Sequence, residues 1–317
     1  MGWGHLMRGC TVAESMPGDL TFVVGEGFDE ARAIVRSRGI PAGVRRWSGP
    51  APVASDLGDS QVAVIDSYVI DPGALAGKCP VVVFDDWVRT GITADGLVNA
   101  NLGATRADYA GARASHWALG AGYALIRTEI RAAAAAGSEV DSETVLLTFG
   151  GSDPLGVTAL VADRLRSTDW FADGGRLCVI LGRSYQGATP WQSWPAADRT
   201  RCDVVTDPPD FVRRCASAML IVVASGTTVY ELAAMQKAFI PVAHTENNRR
   251  IARELAAVGI GAGLFAGEGP WLDRVAADVQ GLAVDVEARH ALGARARLLV
   301  DGNGVYRLKE FLSQVAG

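Results

Sequence analysis

Short apolar runs rich in β-branched residues alternate with longer, alanine-rich amphipathic stretches along this chain. The runs are typical of buried strands, and the stretches between them are typical of helices. Such an alternation favours βαβ units, in which helices cover a parallel sheet. The sequence therefore predicts an α/β fold. The predicted strands are residues 20–24, 61–65, 81–84, 97–99, 144–148, 177–181, 202–205, 219–223 and 238–242, and the predicted helices include 30–38, 155–166, 210–214, 229–236 and 248–257.

The length of 317 residues suggests two domains, each large enough for its own core. Residues 131–141 contain a run of alanines that ends at Gly137 and Ser138, show no strand pattern and precede a new strand, so we predict a linker there. The predicted domains are residues 1–137 and 138–317, with a final helix that crosses back toward the first domain. Two parallel sheets facing a cleft would bind ligands at the carboxyl ends of their strands.

Composition excludes several classes of function. The hydrophobic fraction of 49% and charged fraction of 21% fit a soluble enzyme, and the net charge of -5 provides no basic surface for nucleic acid. The five cysteines are scattered without a Cys-x-x-Cys pair, which favours a reducing compartment over a disulfide framework or a zinc site. The four histidines share no close spacing, so we predict no metal and no cofactor.

Neither a membrane segment nor a secretion signal is evident in the sequence. No apolar stretch approaches the roughly 18 to 20 residues that a membrane span needs. The first residues also lack a charged region followed by a hydrophobic segment. We therefore predict a cytoplasmic protein without stable membrane insertion.

A polar turn directly follows the apolar run 219–223. Ser225, Gly226, Thr227 and Thr228 open a predicted helix whose first N–H groups favour an anion such as a diphosphate. Glu231 lies about one helical turn further on, where its carboxylate could accept hydrogen bonds from ribose hydroxyls. This pattern indicates a nucleotide site. The alternative is an ordinary helix capped by threonine, with a glutamate near its positive end.

A second glycine-rich loop follows the predicted strand 144–148. Gly150 and Gly151 allow a ligand to approach the backbone closely, and Ser152 can either cap the next helix or donate to a phosphate. Taken alone, this loop is equally typical of a strand-to-helix turn. Together with the turn at Ser225, it would form a second wall of one nucleotide site.

Residues with acid–base chemistry occur in the first half of the chain. His5 stands at the start of a predicted helix, where an imidazole could act as a general base near neutral pH; the alternative is a mobile histidine near the terminus. Asp66 and Tyr68 follow the predicted strand 61–65, and an Asp85-Asp86 pair follows the next. Carboxylates in such positions serve acid–base chemistry or cap helices. We favour capping for Asp85 and keep Asp66 and Tyr68 as site candidates.

Several short motifs occur in one order along the whole chain. The motifs are Gly2-x-Gly-His-x-x-Arg8, Ile65-Asp-Ser-Tyr68, Phe84-Asp-Asp86, Asn99-x-Asn101, Gly122-Tyr-Ala-Leu-Ile-Arg127, Phe149-Gly-Gly-Ser-Asp-Pro154, Ser225-Gly-Thr-Thr-x-x-Glu-Leu232, Glu246-Asn247 and Asp301-Gly-x-Gly304. With these motifs in this order, the chain resembles the PseG-type nucleotide-sugar hydrolases of pseudaminic acid biosynthesis, which are related to spore-coat polysaccharide proteins and to the MurG glycosyltransferase.

The resemblance implies a GT-B fold of two Rossmann-like domains, the first holding the sugar and the second holding UDP. It also implies that water displaces UDP, with inversion, from the anomeric carbon of a 2,4-diacetamido-2,4,6-trideoxyhexose. His5 would activate the water, and Tyr68 would line the sugar site. The implied substrate-binding residues are Gly4, Arg8, Asp66 and Asn247.

The sequence departs from the family at its start. Family members begin with a strand that ends in Asp-Ala-Ser, whereas this sequence begins at the Gly-x-Gly-His loop, so we expect the first strand of the fold to be missing. Two alternatives to a hydrolase therefore stay open. One is a MurG-like glycosyltransferase with the same donor, and the other is a catalytically impaired protein that only binds a nucleotide sugar.

Overall fold

The computed structural model describes residues 3–16, 20–25, 27–47, 52–67, 69–136 and 141–317. Within them the chain forms two compact units. The first consists of Met1–Thr128 together with Gly302–Gly317, and the second consists of Glu129–Asp301. Each unit is an α/β structure built on parallel strands.

Helices and strands alternate through both units, as the sequence predicts. The strands are β1 Leu20–Val24, β2 Ala42–Arg46, β3 Ala63–Ile65, β4 Val81–Phe84, β5 Thr93–Asn99, β6 Arg113–Leu119, β7 Asp141–Thr148, β8 Arg176–Leu181, β9 Cys202–Thr206, β10 Ala218–Ala224, β11 Phe239–Ala243 and β12 Leu264–Phe265. The helices are α1 Trp3–Ser15, α2 Phe28–Ser37, α3 Thr128–Ala136, α4 Val157–Arg166, α5 Asp169–Ala172, α6 Ala196–Arg199, α7 Phe211–Ser217, α8 Thr228–Ala234, α9 Glu246–Ala257, α10 Trp271–Val284, α11 Val286–Leu299 and α12 Gly304–Ala316.

The first unit contains two parallel sheets. Strands β1 and β2 form one sheet, and β3, β4, β5 and β6 form the other in that order. Helix α1 contributes to the core on both, because Leu6 and Cys10 pack with the first sheet while Val12 packs with the second. Helix α12 covers the second sheet, with Leu308 fully buried. The described part of the chain opens on α1 rather than on a strand.

The second unit contains one six-stranded parallel sheet in the order β12-β11-β10-β7-β8-β9. The chain runs outward from β7 through β8 to β9, returns to the other side of β7 at β10, and then runs outward through β11 to β12. The order therefore reverses between β7 and β10. Loops that leave these two strands diverge at the carboxyl edge, and in open α/β sheets this crevice is where ligands bind.

The structure adds elements that the sequence pattern does not indicate. Strand β2 carries a glycine and two arginines, and β6 contains an arginine, a serine and a histidine, so neither forms an apolar run. Residues 131–136, which we predicted as a linker, lie in α3, since alanine has the highest helix propensity. Residues 137–140, at the predicted domain boundary, lie outside the described residues.

Lys237 makes the stability of the second unit depend on pH. Its buried Nζ donates to the carbonyl oxygen of Ala216 over 2.7 Å. Burial lowers the pKa of Lys237 from 10.5 to about 8; the interaction with Cys215 opposes this shift, and the charge of Arg289 adds to it. Between these two pH values the unfolded chain binds more protons than the folded chain. The contribution of Lys237 to the free energy of unfolding therefore increases as the pH rises.

Urea denaturation at pH 7.5 and pH 10 tests this linkage. We expect the stability of the wild type relative to Lys237→Met to increase between the two pH values, because the variant has no group that titrates at this position. Other ionisable groups cancel in the comparison. If the wild type and Lys237→Met differ in stability by the same amount at both pH values, the protonation of Lys237 is not linked to folding.

Candidate functional site

Four ionisable side chains of the first unit meet where α1 reaches the carboxyl ends of β3 and β4. The Nδ1 atom of His5 lies 2.6 Å from Oδ1 of Asp66. Arg8 binds Asp66 through Nε at 2.7 Å and Nη2 at 2.5 Å, and binds Asp86 through Nη1 at 2.9 Å and Nη2 at 3.0 Å. The Arg8 guanidinium also stacks on the ring of Phe84, with its Cζ 5.0 Å from the ring centroid.

The electrostatics of this cluster determine the tautomer of His5. Burial alone would raise the pKa of Asp66, but hydrogen bonds from His5 and Arg8 outweigh it and hold that pKa below its usual value. Asp66 is therefore ionised and can only accept hydrogen bonds. Because Nδ1 of His5 donates to this carboxylate, the lone pair of the neutral imidazole lies on Nε2, which is the atom that can take a proton.

Arg8 holds the two carboxylates together. Burial acts to lower the pKa of Arg8, but its hydrogen bonds to Asp66 and Asp86 raise that pKa above its ordinary value, so the guanidinium stays charged. The bidentate geometry fixes both carboxylates in orientation. Arg8 thus fixes Asp66 in place, and Asp66 in turn orients His5.

Asp85 has a structural role, as the sequence suggested. Its side chain is fully buried and accepts hydrogen bonds from the backbone N–H of Arg89 at 3.0 Å and from the Tyr109 hydroxyl at 3.0 Å. Arg89 Nε donates to the same carboxylate at 2.7 Å. Asp85 therefore closes the turn after β4 rather than facing a ligand.

Two further candidates of the first unit give less information. Gly4 lies in the first turn of α1, so His5 belongs to the helix itself rather than to a turn ahead of it. Tyr68 lies outside the described residues. Its predicted place at the sugar therefore remains a prediction.

The loop after β7 has an unusual backbone. Gly150 adopts a positive φ of 82°, a conformation that glycine takes without strain. Ser152 is exposed, and the helix is instead capped by Asp153, whose buried carboxylate accepts from the backbone N–H groups of Val157 at 2.9 Å and Thr158 at 2.7 Å. The sequence left Ser152 as either a helix cap or a phosphate donor; in the structure Asp153 is the cap.

Gly182, which follows β8, packs directly on this loop. A Cβ atom at Gly182 would overlap the carbonyl oxygens of Gly150 and Gly151. The backbone N–H of Ser184 also donates to the Gly151 carbonyl over 3.0 Å. The loops after β7 and β8 therefore support each other, and only glycine fits at position 182.

Two buried polar atoms mark the carboxyl ends of β10 and β11. Ser225 is fully buried, and His244 is 8% exposed. Neither the Oγ atom of Ser225 nor the Nδ1 atom of His244 has a hydrogen-bond partner within the described residues. Burying such groups without a partner is costly, and a site that receives a ligand accounts for it.

His244 is held neutral by its surroundings. Burial lowers the pKa of His244, and the charge of Asp153 opposes that shift only in part. Its ring lies edge-on to Phe149 with 6.0 Å between the centroids, so the ends of β7 and β11 meet across β10. The unpartnered atoms thus lie next to the strands between which the sheet order reverses.

The remaining nucleotide-site candidates lie close to Ser225 and His244 in the sequence. Gly226 and Thr227 form the turn after β10, and Thr228 and Glu231 lie on α8, a helix of seven residues. Asn247 lies in the first turn of α9, but its side chain is outside the described part of the structure.

Sequence reasoning gave no site role to four residues that the structure brings to these sites: Asp86, Asp153, Gly182 and His244. Gly182 directly follows a predicted strand, Asp86 follows the first polar residue after one, and His244 is separated by one residue from the predicted strand 238–242, which is the signal that could have identified them. Among the residues that the structure describes, no group of three or more His, Cys, Asp or Glu side chains could hold a metal ion. No described helix is long and apolar enough to cross a membrane.

Comparison with known proteins identifies the fold. No protein-family model matches the sequence, and no curated protein matches it. Several solved structures do match it in fold. MurG of Acinetobacter baumannii matches with a TM-score of 0.64 at 15% identity, covering 99% of this chain and 97% of that chain. The fold is GT-B.

Two further structures agree with this assignment. A ugt transferase from Siraitia grosvenorii, solved in complex with UDP, has a TM-score of 0.66 at 12% identity, covering 100% of this chain and 98% of that chain. HepE of Anabaena, also in complex with UDP, has a TM-score of 0.62 at 11% identity, covering 98% and 96%. At these identities the likeness shows the GT-B fold alone.

Proposed function

We propose that this protein hydrolyses a UDP-sugar at the anomeric carbon and releases UDP and the free sugar with inversion. The observation that carries the proposal is the 2.6 Å contact between His5 and Asp66, which presents an oriented base at the carboxyl end of a parallel sheet. A histidine whose partner nitrogen is held by a carboxylate is a general-base arrangement.

In the proposed reaction, Nε2 of His5 takes a proton from a water molecule. The water oxygen attacks the anomeric carbon, and the bond from that carbon to the diphosphate oxygen breaks, with its electron pair leaving on UDP. The Asp66 carboxylate stabilises the imidazolium that forms. Attack opposite the leaving group inverts the configuration. UDP is a good leaving group, so the mechanism needs one base and no separate acid.

The second unit supplies the groups for the leaving diphosphate. Backbone N–H groups of Gly151 and the hydroxyls of Ser152, Thr227 and Thr228 can donate to phosphate oxygens. The buried Ser225 Oγ and His244 Nδ1 support ligand binding at the same edge, because both lack a partner in the described residues. We assign Glu231 to the ribose, as the sequence predicted.

UDP is the proposed nucleotide for two reasons. The structural neighbours from Siraitia grosvenorii and Anabaena were solved in complex with UDP, and their fold is the fold of this chain. The family that the sequence resembles also acts on a UDP-sugar. From that resemblance we propose a 2,4-diacetamido-2,4,6-trideoxyhexose as the sugar, a place in pseudaminic acid biosynthesis, and a cytoplasmic location. Tyr68 and Asn247 are proposed to contact the substrate.

A glycosyltransferase is the second candidate. The Siraitia grosvenorii neighbour is named a transferase, and the match covers 98% of its chain. The same His5 base could deprotonate an acceptor hydroxyl instead of water. The two reactions differ only in the molecule that attacks the anomeric carbon.

Release of UDP in the absence of any acceptor distinguishes these candidates. We expect the purified protein to release UDP from a panel of UDP-sugars in buffer alone, measured with a coupled UDP assay. UDP release that requires an added acceptor would assign a transferase. Binding of UDP without release under either condition would leave only a nucleotide-sugar-binding role.

A further inference from the structure

Three buried polar residues lie behind the turn that follows β4. Asp85 and Asn99 are completely buried, and Tyr109 is 4% exposed. The hydrolysis proposed above uses none of the three. A buried network of polar groups is costly unless its members are satisfied, and a satisfied network holds its surroundings in a single arrangement. The question is therefore what this network holds in place.

The hydrogen bonds of the network all run toward one carboxylate. The backbone N–H of Asn101 donates to Asn99 Oδ1 over 2.9 Å, and Asn99 Nδ2 donates to the Tyr109 hydroxyl over 2.8 Å. The hydroxyl donates to Asp85 Oδ2 over 3.0 Å. Burial raises the pKa of the Tyr109 phenol; the hydrogen bond from Asn99 opposes this shift, and the charge of Asp85 adds to it. The phenol therefore keeps its proton and donates it to the carboxylate.

The network reaches the cluster around Arg8 through the backbone of Asp86. Asp85 and Asp86 are consecutive, but their carboxylates have different partners. That of Asp85 accepts from Tyr109, whereas that of Asp86 binds Arg8 at 2.9 Å and 3.0 Å. Asn101 Nδ2 also donates to the carbonyl oxygen of Asp86 over 3.0 Å. The residues after β5 thus hold the turn after β4 at two successive positions.

The backbone of this turn is strained, so it has to be held. Val88 adopts a positive φ of 58°, which a β-branched side chain rarely tolerates. The following backbone N–H, that of Arg89, donates to the Asp85 carboxylate over 3.0 Å. Strain of this kind persists only where the surrounding structure enforces it. A weaker hold on Asp85 would let the turn relax, and Asp86 would move with it.

We propose that Tyr109 is a positioning residue for the His5 base. Its hydroxyl holds Asp85, and thereby the turn whose next carboxylate anchors Arg8. Arg8 fixes Asp66, and Asp66 holds the Nδ1 proton of His5. The proposal rests on the hydrolysis proposed above and adds the buried residue that keeps its base in one tautomer.

The substitution Tyr109→Phe tests this role, because it removes one oxygen atom and keeps the ring that packs against Trp117. With the UDP-sugar that the wild type hydrolyses fastest, we expect kcat to fall about tenfold, less than the loss of the base itself would cost. The dissociation constant of UDP should not change. Tyr123→Phe is the matched control, since Tyr123 packs on the other face of the same sheet and its variant should keep the wild-type kcat.

Nitrogen-15 NMR of the histidine side chains gives a readout that a loss of stability alone would not change. The spectrum of His5→Gln identifies the signals of His5. Above the pH at which the ring loses its proton, we expect the wild type to carry the remaining proton on Nδ1 alone and Tyr109→Phe to show both tautomers. If Tyr109→Phe does not fold, Asn101→Ala removes the hydrogen bond to the Asp86 carbonyl, and the same result is expected.

Combination with Asp86→Asn shows whether the effect passes through the anchor of Arg8. We expect Tyr109→Phe to change kcat little in a protein that already carries Asp86→Asn, because residues that act in one network are not additive. Equal fold losses in both backgrounds, or a wild-type tautomer and kcat in Tyr109→Phe, would overturn the proposal. If the wild type releases no UDP, the proposed hydrolysis fails, and the tautomer measurement still decides the positioning role.

Discussion

We expect His5→Gln to lower the rate constant kcat of UDP release by about 10² to 10⁴, the range that a positioned general base contributes. Glutamine retains a polar side chain of similar reach but cannot take a proton from water. The dissociation constant of UDP should not change, since the residues that we assign to the diphosphate lie on the second unit. Steady-state assays of UDP release and calorimetry of UDP binding measure the two quantities.

Two variants place this result in context. Asp66→Asn should also reduce kcat, because an amide no longer fixes the Nδ1 proton or stabilises the imidazolium. His290→Gln changes an exposed histidine of the second unit and should leave kcat unchanged. Full activity of His5→Gln would remove the base from the proposed mechanism, and an equal loss in His290→Gln would point to a general effect of histidine replacement.

The second large effect is expected from Gly182→Ala. The new methyl group would overlap the carbonyl oxygens of Gly150 and Gly151, so the loop after β7 must move. We expect the affinity for UDP to fall by about 10- to 100-fold, and overpacking to lower stability by about 1–3 kcal/mol. Calorimetry and thermal unfolding provide the two measurements.

Gly281→Ala is the matched control for this prediction. Gly281 lies in α10, and a Cβ atom there would meet nothing within 4 Å. The variant should bind UDP as the wild type does and should be as stable or slightly more stable, because alanine favours the helix. Unchanged UDP affinity in Gly182→Ala would show that the loop after β7 takes no part in nucleotide binding.

The fold was largely predictable because its central strands are continuous apolar runs. All seven residues of β10 and all five of β11 are buried, and both strands were identified from continuous apolar runs. Strands β2 and β6 were missed because arginine, glycine and histidine interrupt their apolar pattern. The strand order of the three sheets could not be predicted from the sequence, since many orders share one pattern.

The candidate residues were predictable one by one, but their contacts were not. His5 and Asp66 are 61 positions apart, and their hydrogen bond depends on α1 beginning beside the edge of β3 and β4. For the same reason the sequence did not show that Arg8 joins Asp66 to Asp86. The sequence left Ser152 as either a helix cap or a phosphate donor, and it did not show that Asp153 caps α4, because that depends on the local backbone turn.

The anomeric configuration of the released sugar tests the central claim most directly. Proton NMR during hydrolysis of a UDP-sugar, without acceptor and before mutarotation is complete, identifies the first anomer formed. We expect the anomer opposite to that of the substrate, since a water molecule activated by His5 attacks from the face opposite UDP. Release of the sugar with retained configuration, or no free sugar until an acceptor is added, would contradict the proposed hydrolysis.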